Sequence, residues 1–202
     1  MTAVPRIVLA SASPRRADIL RQIGLRPEVA PADVDETYLP GETPEGHVER
    51  LARAKAERVA RRSQGALVVG GDTVVVLQGE VLSKPADEAD ARAMLERLAG
   101  RAHEVLSGVA LAGPHGTVSA VARTRVWMRP FDAATAAAYV ATGEPLDKAG
   151  AYGIQGAGAA LVERIDGDYY SVVGFPVVAF LGLLERAGWR FVFGAPARLD
   201  PV

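Results

Sequence analysis

The apolar positions of the chain change period repeatedly, and each change marks an element. Ile7–Ala10 is a short apolar run read as a buried strand, and Ser13-Pro14 signals a helix start. Ile19, Leu20 and Ile23 then recur at helical spacing until Gly24 ends the segment. From Glu45 to about Arg62, Val48, Leu51, Ala52 and Val59 share one face while arginines and glutamates occupy another, which predicts an amphipathic helix. Ala66–Val69 and Thr73–Leu77 read as strand segments interrupted by Gly70-Gly71-Asp72, and Gln78-Gly79 turns the chain back through Glu80–Leu82. A helix from about Asp87 to Leu98 ends at Gly100, and alternating strands at His103–Ala112 and Thr117–Met128 flank Pro114-His115-Gly116. A helix near Ala133–Thr142 precedes a glycine-rich loop. Ala160–Ile165 and Tyr169–Val173 read as strands paired across Asp166-Gly167-Asp168, with a helix over Pro176–Ala187 and a last strand at Trp189–Phe193. The alternation predicts an α/β fold with a mixed sheet.

Composition narrows the function. At 202 residues and 49% apolar content the chain can bury a substantial core, and with no repeat and no low-complexity linker it is read as one domain over residues 1–202. The 23 basic and 24 acidic residues leave a net charge of -1, so no global basic field exists to hold nucleic acid. Without cysteine there is no disulfide framework, thiol nucleophile or thiolate zinc site. No apolar stretch approaches the roughly 18 residues of a membrane span, so the protein is expected to be soluble and cytoplasmic. The three histidines are isolated, without HExxH spacing, and GxSxG is absent. Carboxylates, ammonium and guanidinium groups are left to carry any chemistry.

Three constellations offer it. Ser11-Ala12-Ser13-Pro14-Arg15-Arg16 lies where a strand feeds a helix, so free amides and the positive end of the helix dipole meet two guanidinium groups that oppose that dipole, an arrangement suited to an anionic ligand. The alternative is that Ser13 merely caps the helix and the arginines are solvated. Asp72 in Gly71-Asp72-Thr73 is a carboxylate among valines, costly unless paired, hydrated or metal-bound, and Lys84 of Lys84-Pro85 could neutralise a phosphate or pair with it. The third is Glu144 to Gly156, whose glycines, Lys148 and Gln155 could wrap a nucleotide, Gln155 offering a base edge both donor and acceptor. Asp33, Asp35 and Glu36 could add a second carboxylate to a divalent cation or be solvated loop acids. Lys55, one of only three lysines, is read from the pattern alone as lying on an exposed helix face.

Together these segments resemble the Maf family of nucleoside triphosphate pyrophosphatases. The match runs in order through LASASPRRADILRQIGL, VDE at 34–36, the helix carrying Lys55, GDTVV at 71–75, SKP at 83–85, DKAGAYGIQG at 147–156 and GDYYSVVGFP at 167–176. The resemblance implies a mixed, twisted sheet flanked by helices, two lobes around a cleft, similar to the inosine triphosphate pyrophosphatase architecture. It also implies hydrolysis between the α- and β-phosphates with Mg²⁺ or Mn²⁺. Arg15, Thr73 and Gln155 match the specificity positions of the dTTP/UTP branch, against a 7-methyl-GTP branch that carries a bulky aromatic at the first of them. On this reading Asp72, Lys84 and Lys55 are catalytic. Ser11, Ser13, Arg15, Arg16, Thr73, Lys148 and Gln155 bind substrate, and Glu36 and Asp72 hold the metal. Gly71 and Ser107 depart from the family's usual alanine and threonine. A nucleotide-binding regulator of septum formation is the alternative from another class. The general prevalence of two-fold oligomers points to a homodimer, though no patch identifies one.

Overall fold

Residues 5–198 are described in the computed structural model, and within them the strand-turn-helix expected first is β1 (Ile7–Leu9) followed by α1 (Pro14–Gln22). A two-residue strand with no apolar signal, β2 (Glu28–Val29), runs parallel to β1. The amphipathic segment is α2 (Pro44–Ala60), started by Thr43, whose hydroxyl accepts from the Gly46 amide at 3.1 Å.

The apolar run expected to break at Gly70-Gly71-Asp72 does not break. It forms one strand of 11 residues, β3 (Leu67–Leu77), parallel to β1, so Asp72 sits in the middle of a strand and not at its end. The glycines answer to a neighbour, not to a turn. A Cβ on Gly70 would lie 2.1 Å from the Ala52 carbonyl oxygen, and one on Gly108 would lie 2.3 Å from that of Val48. Val48 and Ala52 are one helical turn apart, so the two glycines make the bare surface on which α2 rests.

Gln78 and Gly79, both with positive φ, reverse the chain into β4 (Glu80–Leu82), antiparallel to β3. Then come α3 (Glu88–Leu98), β5 (Ala102–Gly113), β6 (Gly116–Met128) and α4 (Ala133–Val140), close to the expected spans. The glycine-rich stretch is three short 3₁₀ segments, Glu144–Asp147, Ala149–Ala151 and Gly156–Leu161, leading into β7 (Val162–Asp166), antiparallel to β6. The predicted strand over Tyr169–Val173 is instead a helix, α5 (Tyr169–Val173). Its aromatic and β-branched residues favour a strand, but the Asp168 carboxylate accepts from the amides of Tyr170 and Ser171 at 3.0 and 3.2 Å and starts a helical turn. After α6 (Val177–Arg186), the last predicted strand is one arm of a separate hairpin, β8 (Trp189–Val192) with β9 (Ala195–Arg198).

Seven strands make one mixed sheet, ordered β2-β1-β3-β5-β6-β7 with β4 on β3. The chain divides into two compact units. The first holds residues 5–72, Ser107–Ala122 and 174–198, and the second holds Thr73–Leu106 and Arg123–Val173. The first packs Val8, Ala52, Ala56, Val59, Val68 and Ala110 together, small residues that let helix and sheet approach closely. The second is built of larger ones, among them Leu77, Leu95, Leu98, Val126, Met128 and Tyr152. No helix among the described residues is long and apolar enough to cross a membrane.

Candidate active site

In the first unit the close seat of α2 on β3 places Lys55 against Asp72. Lys55 is only 7% exposed, and its ammonium lies 2.8 Å from Asp72 Oδ1 and 2.6 Å from Glu36 Oε1. The expectation of an exposed helix face is therefore wrong. Val48, Ala52, Lys55 and Val59 follow one another at i, i+4, i+7 and i+11, so the lysine stands within the apolar stripe, and that spacing was the available signal. Burying an ammonium is costly unless it is paired, and here two carboxylates pair with it.

The β1–α1 turn adds the cations. Ser11, 6% exposed, accepts at Oγ from the Ser13 amide (3.2 Å) and from Arg16 Nη1 (3.0 Å). Ser13 occupies the N-cap position, but its side chain does not cap the helix, so the bland reading of this serine does not hold. Arg16 also donates from Nε to the Gly174 carbonyl at 2.9 Å, and the same Nε would stand 3.3 Å from a Cβ on Gly71, beside Asp72. The missing alanine methyl at Gly71 leaves the guanidinium that space. Burial holds Arg16 below the ordinary arginine value, with the Asp72 charge opposing that shift. Arg15 is half-buried in the first turn of α1.

Glu36 rides on a loop that the sequence reading left unexplained. The Glu42 side chain, 9% exposed, takes Arg50 Nε at 2.6 Å and Nη2 at 2.8 Å, His47 Nδ1 at 3.0 Å and the Leu39 amide at 3.1 Å. The bonds from Arg50 hold Glu42 well below the usual carboxylate range, and the carboxylate in turn raises Arg50. Arg50 also reaches the Thr37 carbonyl at 3.0 Å, and Tyr38 stacks on His47 with ring centroids 3.5 Å apart and planes 4° from parallel. The Tyr38 hydroxyl is buried, and burial together with the Asp72 and Glu42 charges pushes it up to about 12. Thus Glu42, His47 and Arg50 fasten the segment that delivers Glu36 to Lys55. Asp35 only closes a local turn onto the Thr37 amide (2.9 Å), and Asp33 is exposed.

The remaining expected residues belong to the second unit. Thr73 follows Asp72 in β3, and Lys84 is exposed just after β4. Gly150 donates to the Ser83 carbonyl at 3.1 Å, so the SKP segment and the DKAG loop are tied together. Gln155 is exposed between two 3₁₀ segments. Lys148 is held locally, its ammonium on the Glu144 carbonyl and 2.6 Å from Asp147 Oδ1. Burial raises the Glu144 carboxyl, but the Tyr139 hydroxyl, the amides of Ala157 and Gly158 and the Lys148 charge outweigh it and leave the group below its ordinary value. His103 bonds Tyr152 Oη at 2.7 Å in the core, and His115 lies exposed in a turn.

The donor set of Glu36 and Asp72 suits a divalent cation. Mg²⁺ is characteristically held by one or two carboxylates together with substrate phosphates and water. Two carboxylates are gathered on one ammonium, beside Arg16 and the start of α1, and Glu36 and Asp72 are the residues that could hold such a cation.

The family model described as Maf-like protein matches residues 6–187. A protein of Geotalea uraniireducens named dTTP/UTP pyrophosphatase is 50% identical over 190 residues, covering 93% of this chain and 98% of its own. One of the same name from Myxococcus xanthus is 51% identical over 188 residues, covering 91% and 95%. Among solved structures, the Staphylococcus aureus Ham1 protein aligns with a TM-score of 0.44 at 22% identity, over 61% of this chain and 71% of that one.

Proposed function

The chain belongs to the Maf family, and from that membership and the Lys55-centred cluster we propose that it hydrolyses dTTP and UTP to the monophosphate and pyrophosphate. The observation that supports the chemistry is the ammonium shared by Asp72 and Glu36 at 2.8 and 2.6 Å. Asp72 orients the attacking water and accepts its proton. Lys55 keeps that carboxylate in place, its rotamer set by a second ion pair to Glu36. Arg15 and Arg16, with the amides at the start of α1 and the hydroxyls of Ser11 and Ser13, receive phosphate oxygens and offset the charge that develops as the bond between the α- and β-phosphates breaks. Glu36 and Asp72 would hold Mg²⁺ or Mn²⁺, which when bound supplies further neutralisation at the phosphate under attack. In the second unit, Lys84 is assigned a catalytic role in neutralising the triphosphate, Thr73 and Lys148 are assigned to substrate, and Gln155 to the base edge, because the amide can meet the uracil ring with donor and acceptor at once. Phosphoryl transfer asks for positioning and electrostatics more than covalent chemistry, which these groups provide without a thiol or serine nucleophile. We place this activity in the cytoplasm, where nucleoside triphosphates are made and used.

Pyrophosphate release from dTTP, UTP, CTP, ATP, GTP and 7-methyl-GTP, with Mg²⁺ or Mn²⁺ and beside Asp72→Asn, tests the proposal. Turnover of dTTP and UTP that needs the metal and falls at least a thousandfold in a folded Asp72→Asn supports it. A preference for 7-methyl-GTP overturns the substrate, undiminished turnover in the variant overturns the role of Asp72, and absence of turnover by folded wild-type protein favours a nucleotide-binding regulator.

A further inference from the structure

Around Gln155 the backbone makes several bonds to two side chains. Tyr139, in α4, donates its hydroxyl to Glu144 Oε1 at 2.8 Å. That oxygen also accepts from the Gly158 amide at 3.1 Å, and Oε2 accepts from the Ala157 amide at 2.9 Å. The Tyr139 oxygen itself accepts from the Gly153 amide at 3.1 Å. Three amides, at 153, 157 and 158, are thus held by one carboxylate–phenol pair, and Gln155 lies at the middle of the segment they bracket.

The segment is shaped to this pair. Gly156 has a φ of +64°, and a Cβ on it would lie 2.7 Å from Glu144 Oε2. A Cβ on Gly158 would lie 2.5 Å from the Tyr139 oxygen and 2.2 Å from the Gly153 carbonyl. Lys148 closes the other side, bonding the Glu144 carbonyl while its Cε would stand 2.9 Å from a Cβ on Gly153. A carboxylate that accepts from two backbone amides and a hydroxyl is fixed in both position and ionisation.

We propose that Glu144, backed by Tyr139, is a positioning residue for base selection: its carboxylate holds the 153–158 segment in the one conformation that presents the Gln155 amide. The inference rests on the reading of Gln155 as the group that meets the pyrimidine base. Thymine and uracil offer a carbonyl oxygen where cytosine offers an amino group, so discrimination depends on the side-chain amide being held at a set distance and angle. A loop released from Glu144 would let the amide follow either base. The selectivity for dTTP and UTP over CTP should then fall while the proton chemistry at Asp72 stays.

The test compares Glu144→Gln, Tyr139→Phe and Gln155→Ala with wild type, measuring kcat and KM for dTTP, UTP and CTP and amide hydrogen exchange in peptides covering 153–161. Glu144→Gln replaces one accepting oxygen with a donor that faces a backbone amide, and Tyr139→Phe removes a single hydroxyl from a site that stays packed. The expected result is exchange at 153–158 at least tenfold faster in both variants. The ratio of kcat/KM for dTTP to that for CTP should fall at least tenfold in Glu144→Gln and about threefold in Tyr139→Phe, mainly through KM. A merely structural role would lower turnover equally for all three nucleotides and leave the ratio alone, which overturns the inference. If Gln155→Ala shifts the ratio but neither Glu144→Gln nor Tyr139→Phe does, the base-reading assignment stands and the positioning role fails. If Gln155→Ala leaves the ratio unchanged, both fail. Where Glu144→Gln does not fold, Tyr139→Phe carries the same decision.

Discussion

Replacing Gly70 by alanine tests whether the seat of α2 on the sheet is what builds the Asp72 site. The added Cβ would stand 2.1 Å from the Ala52 carbonyl oxygen and 2.8 Å from the Ala56 amide nitrogen, whereas ordinary contact begins at 3.4 Å, a shortfall of 1.3 Å for the first. Both obstacles are backbone, so no rotamer relieves the clash, and α2 must move away from β3 or β3 must bend. Overpacking of this kind costs about 3 kcal/mol at the upper end of its usual range, which for a chain of this length lowers the thermal midpoint by roughly 6–12 °C. Lys55 lies between the two clashing positions, so the same displacement stretches its 2.8 Å bond to Asp72 beyond hydrogen-bonding distance. A misplacement of about 1 Å in a positioned group can cost up to roughly a hundredfold in rate, so dTTP turnover should fall by at least tenfold even in the folded fraction. Gly182 is the control. It lies inside α6 with no atom within 4 Å of an added Cβ, so Gly182→Ala should gain about 0.5–1 kcal/mol and leave turnover unchanged. Thermal denaturation and steady-state kinetics on both variants decide the matter. A Gly70→Ala protein with wild-type midpoint and turnover would refute the argument that α2 rests on backbone at this point.

Two further outcomes follow from groups outside the site. Burial lowers His103 from 6.5 to about 4, so the folded state keeps it neutral while the unfolded chain takes up a proton below about pH 6.5; stability is full above that pH and is lost progressively down to about pH 4, by roughly 2 kcal/mol at pH 5 and about 3 kcal/mol in all. Urea midpoints measured between pH 7.5 and 4.5 should therefore fall more steeply for wild type than for His103→Gln, and equal slopes would remove His103 as the cause. Asp87 starts α3 by accepting from the Asp90 amide at 2.8 Å, so Asp87→Ala should cost about 1 kcal/mol by thermal denaturation, with dTTP kinetics unaltered.

What could be read from the chain, and what could not, divides along one physical line. Periodicity reports which face of an element is buried, so α2, α3, α6 and the long strands β5 and β6 were legible close to their ends. Glycine reports only that something needs room. At Gln78-Gly79 the need is a turn with positive φ, at Gly70 it is the backbone of a neighbouring helix, and the sequence writes both with the same letter. That is why β3 was divided in two and Asp72 was put at a strand end. Tyr169–Val173 failed for a related reason: five residues with strand propensity are overruled by one aspartate whose side chain satisfies two helical amides, and a cap is visible only once the chain is seen to curl around it. β2 and β9 carried no pattern at all, β2 because both its residues are exposed and β9 because its proline is tolerated only in an edge position.

The site repeats the division. The charged candidates could be listed from motif and composition, but their partners could not, because a pairing is a distance and distances come from packing. Lys55 is the clearest case: its place in the apolar stripe could be counted along the helix, yet only the contact of Ala52 with Gly70 turns that place into an ammonium 2.8 Å from Asp72. Glu144 lies in a segment already singled out and Glu42 outside any, and each proves to be the group that fastens a loop bearing a candidate residue, Glu36 in one unit and Gln155 in the other. Both anchors are carboxylates kept ionised by the donors they collect, Arg50 and His47 for one, Tyr139 and two amides for the other. An acid flanked by glycine and proline, as in Gly41-Glu42-Thr43-Pro44 and Gly143-Glu144-Pro145, is poorly suited to a helix interior and well suited to gathering amides at a loop edge. In this chain the same short pattern, glycine then glutamate before a proline, runs into the start of a helical turn at both places where a loop is fastened.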